Sequence, residues 1–260
     1  MIKEEVKFQD STVFEGMTSI RAILKAGELG HNDRRINKIL YSKERINKIA
    51  KEVGYLKAVS SKYGFEVVET TTEYINSITL GNSHGGIIAI TGERTIPLLQ
   101  KSSPIIPSSF YCMIQGIEDP YNFGYSLRSL YAAGCAGIIL PKRNWMSAAG
   151  VVARSSAGAS ELFEVYEADP QDAADIFKEK GYKIVCADER TDNLLGKCEL
   201  RLPLLLIVGG EKRGISGSLI ENADILVKIN YAREFNASLS AASATTMFAY
   251  EIMRQNDIKI

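Results

Sequence analysis

The sequence predicts an α/β protein, with a parallel sheet in its C-terminal part and a smaller α/β unit ahead of it. Three observations carry this. After residue 109, short apolar runs alternate with helix-like stretches and no two-residue hairpin turn joins them, the pattern of a parallel sheet covered on both faces. The stretch KSSPIIPSS (101–109) sets serines and prolines between apolar blocks, as a linker does. Before it the same alternation recurs on a smaller scale. The expected division is therefore 1–100, a linker at 101–109, and 110–260.

Taken in order, 18–25 reads as a short helix and 35–41 as a strand. Ile46, Ile49, Val53, Leu56 and Val59 recur at helical spacing, with Lys48, Lys51 and Lys57 largely off that stripe. Residues 65–68 and 86–90 read as further strands. Beyond the linker the apolar runs 110–117, 137–140, 162–165, 182–187, 204–208 and 225–229 read as strands. Helices are expected at 124–133, around 147–153, at 170–180 and at 216–222. A last amphipathic helix runs from about 238 to 255, with Leu239, Ala242, Met247, Tyr250 and Ile252 available for packing. Ligands of such sheets bind at the carboxyl ends of the strands.

At 45% hydrophobic and 24% charged, the chain has the composition of a globular protein with a substantial core. Its formal net charge of zero names no partner. The window 31–62 is basic, with Arg34, Arg35, Lys38, Lys43, Arg45, Lys48, Lys51, Lys57 and Lys62 against Asp33, Glu44 and Glu52. That is either a polyanion footprint or a solvated helix face. Cys112, Cys135, Cys186 and Cys198 are widely spaced and have no histidine beside them, so neither a disulfide framework nor a metal site is expected. No long apolar stretch or signal-peptide pattern stands out, which points to the cytoplasm and away from a membrane.

Three segments carry candidate chemistry. IVGGEKRGIS (207–216) follows an apolar run and has the glycine spacing of a phosphate loop, yet Ile215 stands where the lysine belongs. A nucleoside triphosphatase is disfavoured. The glycines allow close backbone approach, and Glu211 suits a ligand edge that donates hydrogen bonds; an ordinary tight turn is the other reading. In IEDPYNFGYSLRSLYAAG (117–134), Asn122 stands near a helix start, where Asn can cap. Arg128 follows among apolar neighbours, so an anionic partner, carboxylate or phosphate, is expected for it. In KINYAREFNASLSAASA (228–244), a strand end leads through a polar loop to a helix rich in Ala and Ser that begins at Ser238. His31 and His84 lie in polar turns, unsuited to Ser-His or Cys-His catalysis. No G-x-G-x-x-G follows the first strand, against a dinucleotide oxidoreductase.

In this order the three segments resemble the three motifs of the SpoU/TrmH-type RNA ribose 2′-O-methyltransferases of the SPOUT superfamily. DPYNFGYSLRSLYAAG is similar to the first motif, LLIVGGEKRGIS to the second and IN…ASLSAASA to the third. RSSAGASELFEV (154–165) is similar to the family's Ser-Ala-Gly-Ala segment, and the part ending in SHGGIIAI (83–90) resembles a small L30e-like substrate-binding domain. Two residues depart from the pattern. Ser240 stands where the family usually has Asn, and Gly210 replaces a common Asn before Glu211.

The resemblance implies S-adenosylmethionine bound in a deep trefoil knot, with Ala187, Gly209, Gly210, Ile229 and Leu239 at the cofactor-binding positions. It implies catalytic roles for Arg128, Asn122, Glu211 and Ser238, no metal, and an obligate homodimer in which Arg128 works near the partner's cofactor pocket. The expected activity is 2′-O-methylation of a ribose in structured RNA, ribosomal rather than transfer RNA. The alternative is a non-catalytic RNA-binding protein that retains the fold, a reading that Ser240 keeps open.

Overall fold

In the computed structural model, which describes residues 12–80, 84–117, 119–142, 148–210, 214–234 and 236–258, two sheets organise two compact units. The first contains β1 (Val13–Glu15), α1 (Gly16–Leu29), β2 (Ile36–Ser42), α2 (Ile46–Tyr63), β3 (Glu66–Thr70), α3 (Thr72–Ile78) and β4 (Ile87–Thr91). The strand order is β1-β4-β2-β3, with β2 and β3 parallel and β4 antiparallel to both its neighbours. The apolar stripe of α2 packs as its spacing predicts: Ile49, Val53 and Leu56 are buried, and Ile46 and Val59 lie against the same core. α1 runs longer than expected, because Ile20, Ile23 and Leu24 are buried and Gly30 ends it in the left-handed conformation (φ 74°). β1 and α3 had no clear periodic signal; each is short, and β1 is fixed by pairing with β4.

The units do not follow the contiguous division read from the sequence. The border falls between Thr95 and Ile96, and the helices α5 (Ala149–Ser155) and α6 (Ala159–Leu162) pack in the first unit although they follow the Ser/Pro stretch. Gly150 lies so close to β1 that a Cβ there would stand 2.1 Å from the Val13 carbonyl oxygen. A buried ion pair completes the join. Glu161, fully buried, accepts from Arg34 Nε (2.9 Å) and Asn32 Nδ2 (2.5 Å), and Arg34 also donates to the Gly92 carbonyl (2.9 Å). Arg94 donates to the carbonyls of Ser160 (2.9 Å) and His31 (3.0 Å). Arg34 is thus a core residue, not part of a polyanion footprint. No spacing rule reveals this, because its partner lies far along the chain.

The second unit holds β5 (Phe110–Gln115), α4 (Pro120–Ala132), β6 (Gly137–Leu140), β7 (Glu164–Glu167), α7 (Pro170–Glu179), β8 (Lys183–Ala187), β9 (Leu204–Gly209), α8 (Gly217–Glu221), β10 (Ile225–Val227) and α9 (Ala241–Gln255). Its six strands are all parallel, in the order β10-β8-β9-β5-β6-β7. The chain steps outward from β5 to β7, then crosses to β8 and returns to place β9 between β8 and β5. That reversal makes a switch point at the carboxyl ends of β5 and β9, where open α/β sheets bind ligands. The core between sheet and helices is built from Tyr111, Met113, Phe177, Ile184, Leu205 and Ile207.

Two helix boundaries differ from expectation. α4 starts at Pro120, because the Asp119 carboxylate accepts from the amides of Tyr121 (3.3 Å) and Asn122 (3.0 Å) and caps it. α9 starts at Ala241, capped by the Ser240 hydroxyl, which accepts from the Ser243 amide (3.2 Å). Its buried face is Ala242, Thr245, Phe248, Ala249 and Ile252, whereas Met247 and Tyr250 are exposed. The far end of α9 is tied to the segment between β8 and β9. Gln255 donates to the Cys198 carbonyl (2.9 Å), and Asn256 donates to that of Leu200 (2.8 Å). The thiols of Cys112 and Cys186 are buried, and burial pushes both well up.

Replacing Glu161 with Ala strands the Arg34 guanidinium in the core and is expected to lower unfolding free energy by about 3–5 kcal/mol in urea titrations. Removing the exposed Lys101–Glu179 pair should cost under about 1 kcal/mol. His84 is buried, with Nδ1 accepting from the Gly86 amide (3.0 Å), and burial lowers its pKa. The unfolded chain therefore takes the proton first. Its contribution is full above the ordinary value near 6.5 and is lost as pH falls toward and through the folded value. Urea midpoints of wild type and His84→Gln, compared on either side of that value, should show a fall that the variant lacks.

Candidate active site

The carboxyl ends of β8, β9 and β10 surround a cavity of about 730 Å3, within the range of about 300–1,000 Å3 that holds small ligands. Its lining includes Ala187 to Glu189 after β8, Val208 to Gly210 with Gly214 after β9, and Val227 to Tyr231 after β10. Asn236 to Leu239 and the Ala241, Ala244 and Phe248 side of α9 complete it. The lining sets glycines and apolar side chains beside the polar side chains of Asp188, Glu189, Lys228, Asn230, Tyr231, Asn236 and Ser238.

Glycine is required here by chain meeting chain. A Cβ on Gly210 would stand 2.0 Å from the Gly116 carbonyl oxygen, and one on Gly209 would stand 2.6 Å from the Gly214 carbonyl carbon. Gly214 donates to the Gly210 carbonyl (3.1 Å) at a φ of 59°. The ends of β9 and β5 are thereby pressed together. The Gln115 side chain adds a bond by accepting from the Ser216 amide (3.3 Å). Opposite, the 228 region is held by Lys228 N–H to the Asn193 carbonyl (2.9 Å) and Leu195 N–H to the Lys228 carbonyl (2.8 Å). Tyr231 reaches across its loop to accept from the Leu239 amide (3.1 Å).

The charged residues of the lining are Asp188, Glu189 and Lys228. Two bonds from the Arg190 guanidinium (2.8 and 2.9 Å) hold the Asp188 carboxyl below the usual carboxylate range. Lys228 lies 3.5 Å from Asp192. Two acids and one paired lysine do not form a cradle for a triphosphate. Glycines, apolar side chains and the carboxylates of Asp188 and Glu189 suit a flat, hydrogen-bonding heterocycle attached to a cationic group. Among the described residues no cluster of His, Cys, Asp or Glu forms a metal site, and no helix is long and apolar enough to cross a membrane.

Of the residues singled out in the sequence, Ala187, Gly209, Gly210, Ile229, Leu239 and Ser238 line this one cavity. Glu211 lies outside the described residues. Arg128 and Asn122 sit on α4 and do not line the cavity. Asn122 is not the cap expected of it, since Asp119 occupies that position; the Asp-Pro pair was the legible signal. Arg128 is exposed and has no ion-pair partner among the described residues, unlike the packed, paired arginine its neighbours suggested. Tyr121 and Tyr125, both exposed, share its helix face at i−7 and i−3. The sequence reasoning missed Asp188 and Phe248, which carry no motif, and Tyr231, which lies within the third segment but was not singled out.

A family model described as "SpoU rRNA Methylase family" matches residues 109–250. The putative TrmH family tRNA/rRNA methyltransferase YacO of Bacillus subtilis (strain 168) is 24% identical over 230 residues, covering 87% of this chain and 91% of that protein. A putative TrmH family tRNA/rRNA methyltransferase of Staphylococcus aureus (strain MSSA476) is 26% identical over 255 residues, 95% and 97% of the two chains. Among solved structures, the fold is similar to an AdoMet-bound rRNA methyltransferase from Sinorhizobium meliloti (TM-score 0.76, 23% identity, 94% and 87% coverage). It is likewise similar to the SpoU methyltransferase AviRb from Streptomyces viridochromogenes in complex with AdoMet (TM-score 0.75, 22% identity, 94% and 89%).

Two substitutions test the glycine contact. Gly210→Ala must push β9 from β5 and should destabilise by about 1–3 kcal/mol or more. Gly217→Ala, at the first position of α8 with nothing within 4 Å and no positive φ, should stabilise by roughly 0.4–1 kcal/mol. Thermal melting of both variants checks the contrast. Ser240→Asn should melt with wild type and Ser240→Ala lower stability by about 1 kcal/mol, as expected for a cap.

Proposed function

Because its model matches residues 109–250, the chain belongs to the SpoU rRNA Methylase family, and we propose that it transfers a methyl group from S-adenosylmethionine to a ribose 2′-oxygen of structured RNA. The observation that carries the reading is that Ala187, Gly209, Gly210, Ile229 and Leu239 line one cavity together. Its glycine-containing, partly apolar wall fits an adenosyl group, and the carboxylates of Asp188 and Glu189 fit a cationic one. Two structures of similar fold are described as AdoMet complexes, and the relatives as tRNA/rRNA methyltransferases. The same reading takes the C-terminal segments through a trefoil knot.

S-adenosylmethionine would supply an electrophilic methyl on a sulfonium centre, the sulfur leaving as the neutral thioether of S-adenosylhomocysteine and the 2′-hydroxyl proton passing to solvent. The protein's task is then to align the 2′-hydroxyl and to manage its charge. The backbone at Ala187, Gly209 and Gly210 on one side, and Ile229 and Leu239 on the other, holds the adenosyl part. Ser238, at the cavity edge, takes a ribose hydroxyl. Asn122 and Glu211 orient the arginine and the loop. Arg128 binds the adjacent phosphate and stabilises charge developing on the oxygen.

Arg128 does not line the cavity of its own chain, and its exposed helix face carries Tyr121 and Tyr125. Met247 and Tyr250 are exposed on α9, which packs beside α4 through the Ser129–Thr246 hydroxyl contact (2.7 Å). An apolar surface of that kind suits a homodimer in which Arg128 serves the partner's cavity. The first unit is the substrate-binding part, ribosomal RNA is favoured over transfer RNA, and the cytoplasm is the place of action. The non-catalytic alternative rested on Ser240. Its hydroxyl caps α9, a role Asn fills equally well, so that residue gives no reason to expect lost transfer.

Arg128→Ala is expected to abolish methyl incorporation into ribosomal RNA while S-adenosylmethionine still binds in calorimetric titration. Near-normal turnover of that variant would remove Arg128 from the site.

A further inference from the structure

The first unit carries a face that the proposed reaction leaves without a role. Burial of Ile49, Val53 and Leu56 turns one side of α2 inward, so Lys48, Lys51 and Tyr55 share a solvent side. All three are exposed, Tyr55 at 41%. On α1, Arg21 and Lys25 are exposed one turn apart, and the Arg21 guanidinium lies 5.8 Å from the centre of the Tyr55 ring. Further along the same seam Lys62 meets Glu28 at 2.9 Å, so the two helices run side by side. Among the described residues Arg21, Lys25, Lys48 and Lys51 make no ion pair. Of the nearby acids, Glu28 is bound by Lys62 and Tyr63, and Glu44 by Ser42 and Thr72. Glu52 is the acid that remains beside them.

A solvated face has no need of an exposed tyrosine among cations, nor of Gly54. That glycine sits inside α2 without a positive φ, and a Cβ there would meet nothing within 4 Å. Neither dihedral nor packing requires it, although glycine in a helix interior costs stability relative to alanine. With the exposed Ala50 and Ala58 it forms a low floor beside Lys51 and Tyr55, which a nucleic-acid backbone could approach closely.

We propose that this α1/α2 face takes the unpaired part of the RNA substrate, one base stacking on Tyr55 and flanking phosphates meeting Lys48, Lys51, Arg21 and Lys25. The proposal rests on the RNA reading of the cavity and adds where the strand lies. Unpaired rather than duplex RNA is indicated because a ring platform needs a base whose face is free. Lys57, on the other side of α2 over the Tyr41 ring (5.5 Å), and the exposed Tyr74 are outside the face.

Fluorescence anisotropy of the full chain with a labelled mixed-sequence RNA strand, and with the matching duplex, tests this. Tyr55→Ala is expected to weaken strand binding roughly tenfold and Tyr55→Phe to restore it. Lys51→Ala should weaken binding and lower the slope of log affinity against log salt by about one. Gly54→Glu should weaken binding without lowering thermal stability, and Lys57→Ala and Tyr74→Ala should bind as wild type. The proposal is overturned if the Tyr55 and Lys51 variants match wild type, if the two controls weaken equally, or if duplex is preferred. Methyl transfer to ribosomal RNA is measured in parallel. Active wild type with unchanged variants overturns this face alone, whereas wild type that neither binds RNA nor transfers methyl overturns the functional reading with it.

Discussion

The approach of Gly210 to the carbonyl of Gly116 is the contact on which the C-terminal unit depends. With 2.0 Å between that oxygen and any Cβ that could be added, only hydrogen fits, and the ends of β9 and β5 can lie against each other. The cavity follows from this. Because β9 is the strand inserted between β8 and β5, its end is where chain direction across the sheet reverses, and the segments after β8 and β10 close on it. The lining is therefore drawn from the turn-outs of neighbouring strands, where glycines and small residues lie beside Asp188, Glu189, Lys228 and Tyr231. Such a wall discriminates by shape and hydrogen bonding, with Asp188 and Glu189 adding negative charge.

The first unit is held by a different kind of interaction. The Arg34–Glu161 pair is buried at both ends (3% and 0% side-chain exposure), and its neighbours Asn32 and Arg94 spend their donors on Glu161 and on backbone carbonyls. Burying charge is costly unless it is paired, and here Glu161 Oε2 takes both side-chain bonds while Oε1 has no hydrogen-bond partner among the described residues. The arrangement thus specifies one way for α5 and α6 to pack on α1 and β1. These helices connect β6 to β7 in sequence, so the chain enters the second sheet, leaves it for the first unit and returns. A cut at the Ser/Pro stretch would separate Glu161 from Arg34.

Much of the secondary structure was legible because it rests on periodicity. The α2 stripe and all six strands of the second sheet were read within a few residues. What periodicity cannot show is which distant residues meet. Arg34 reads as one more cation in a basic window until Glu161 is placed beside it. Helix starts shifted for a local reason: Asp119 and Ser240 are caps, and side-chain capping moves a boundary that apolar spacing leaves undefined. At the site, the motif glycines were legible as glycines, but their requirement lies in contact with Gly116 and Gly214 rather than with a ligand alone. Asp188 and Phe248 belong to no motif and are brought to the cavity by strand order.

The most direct measurement of the central claim is a map of ribose methylation in ribosomal RNA from cells with and without the gene, followed by incubation of the unmethylated RNA with purified protein and S-adenosylmethionine. The account predicts that one 2′-O-methyl group disappears with the gene and is restored by the protein. Restoration of a methyl group on a base, or no methyl transfer by protein that is folded and binds the RNA, would contradict it.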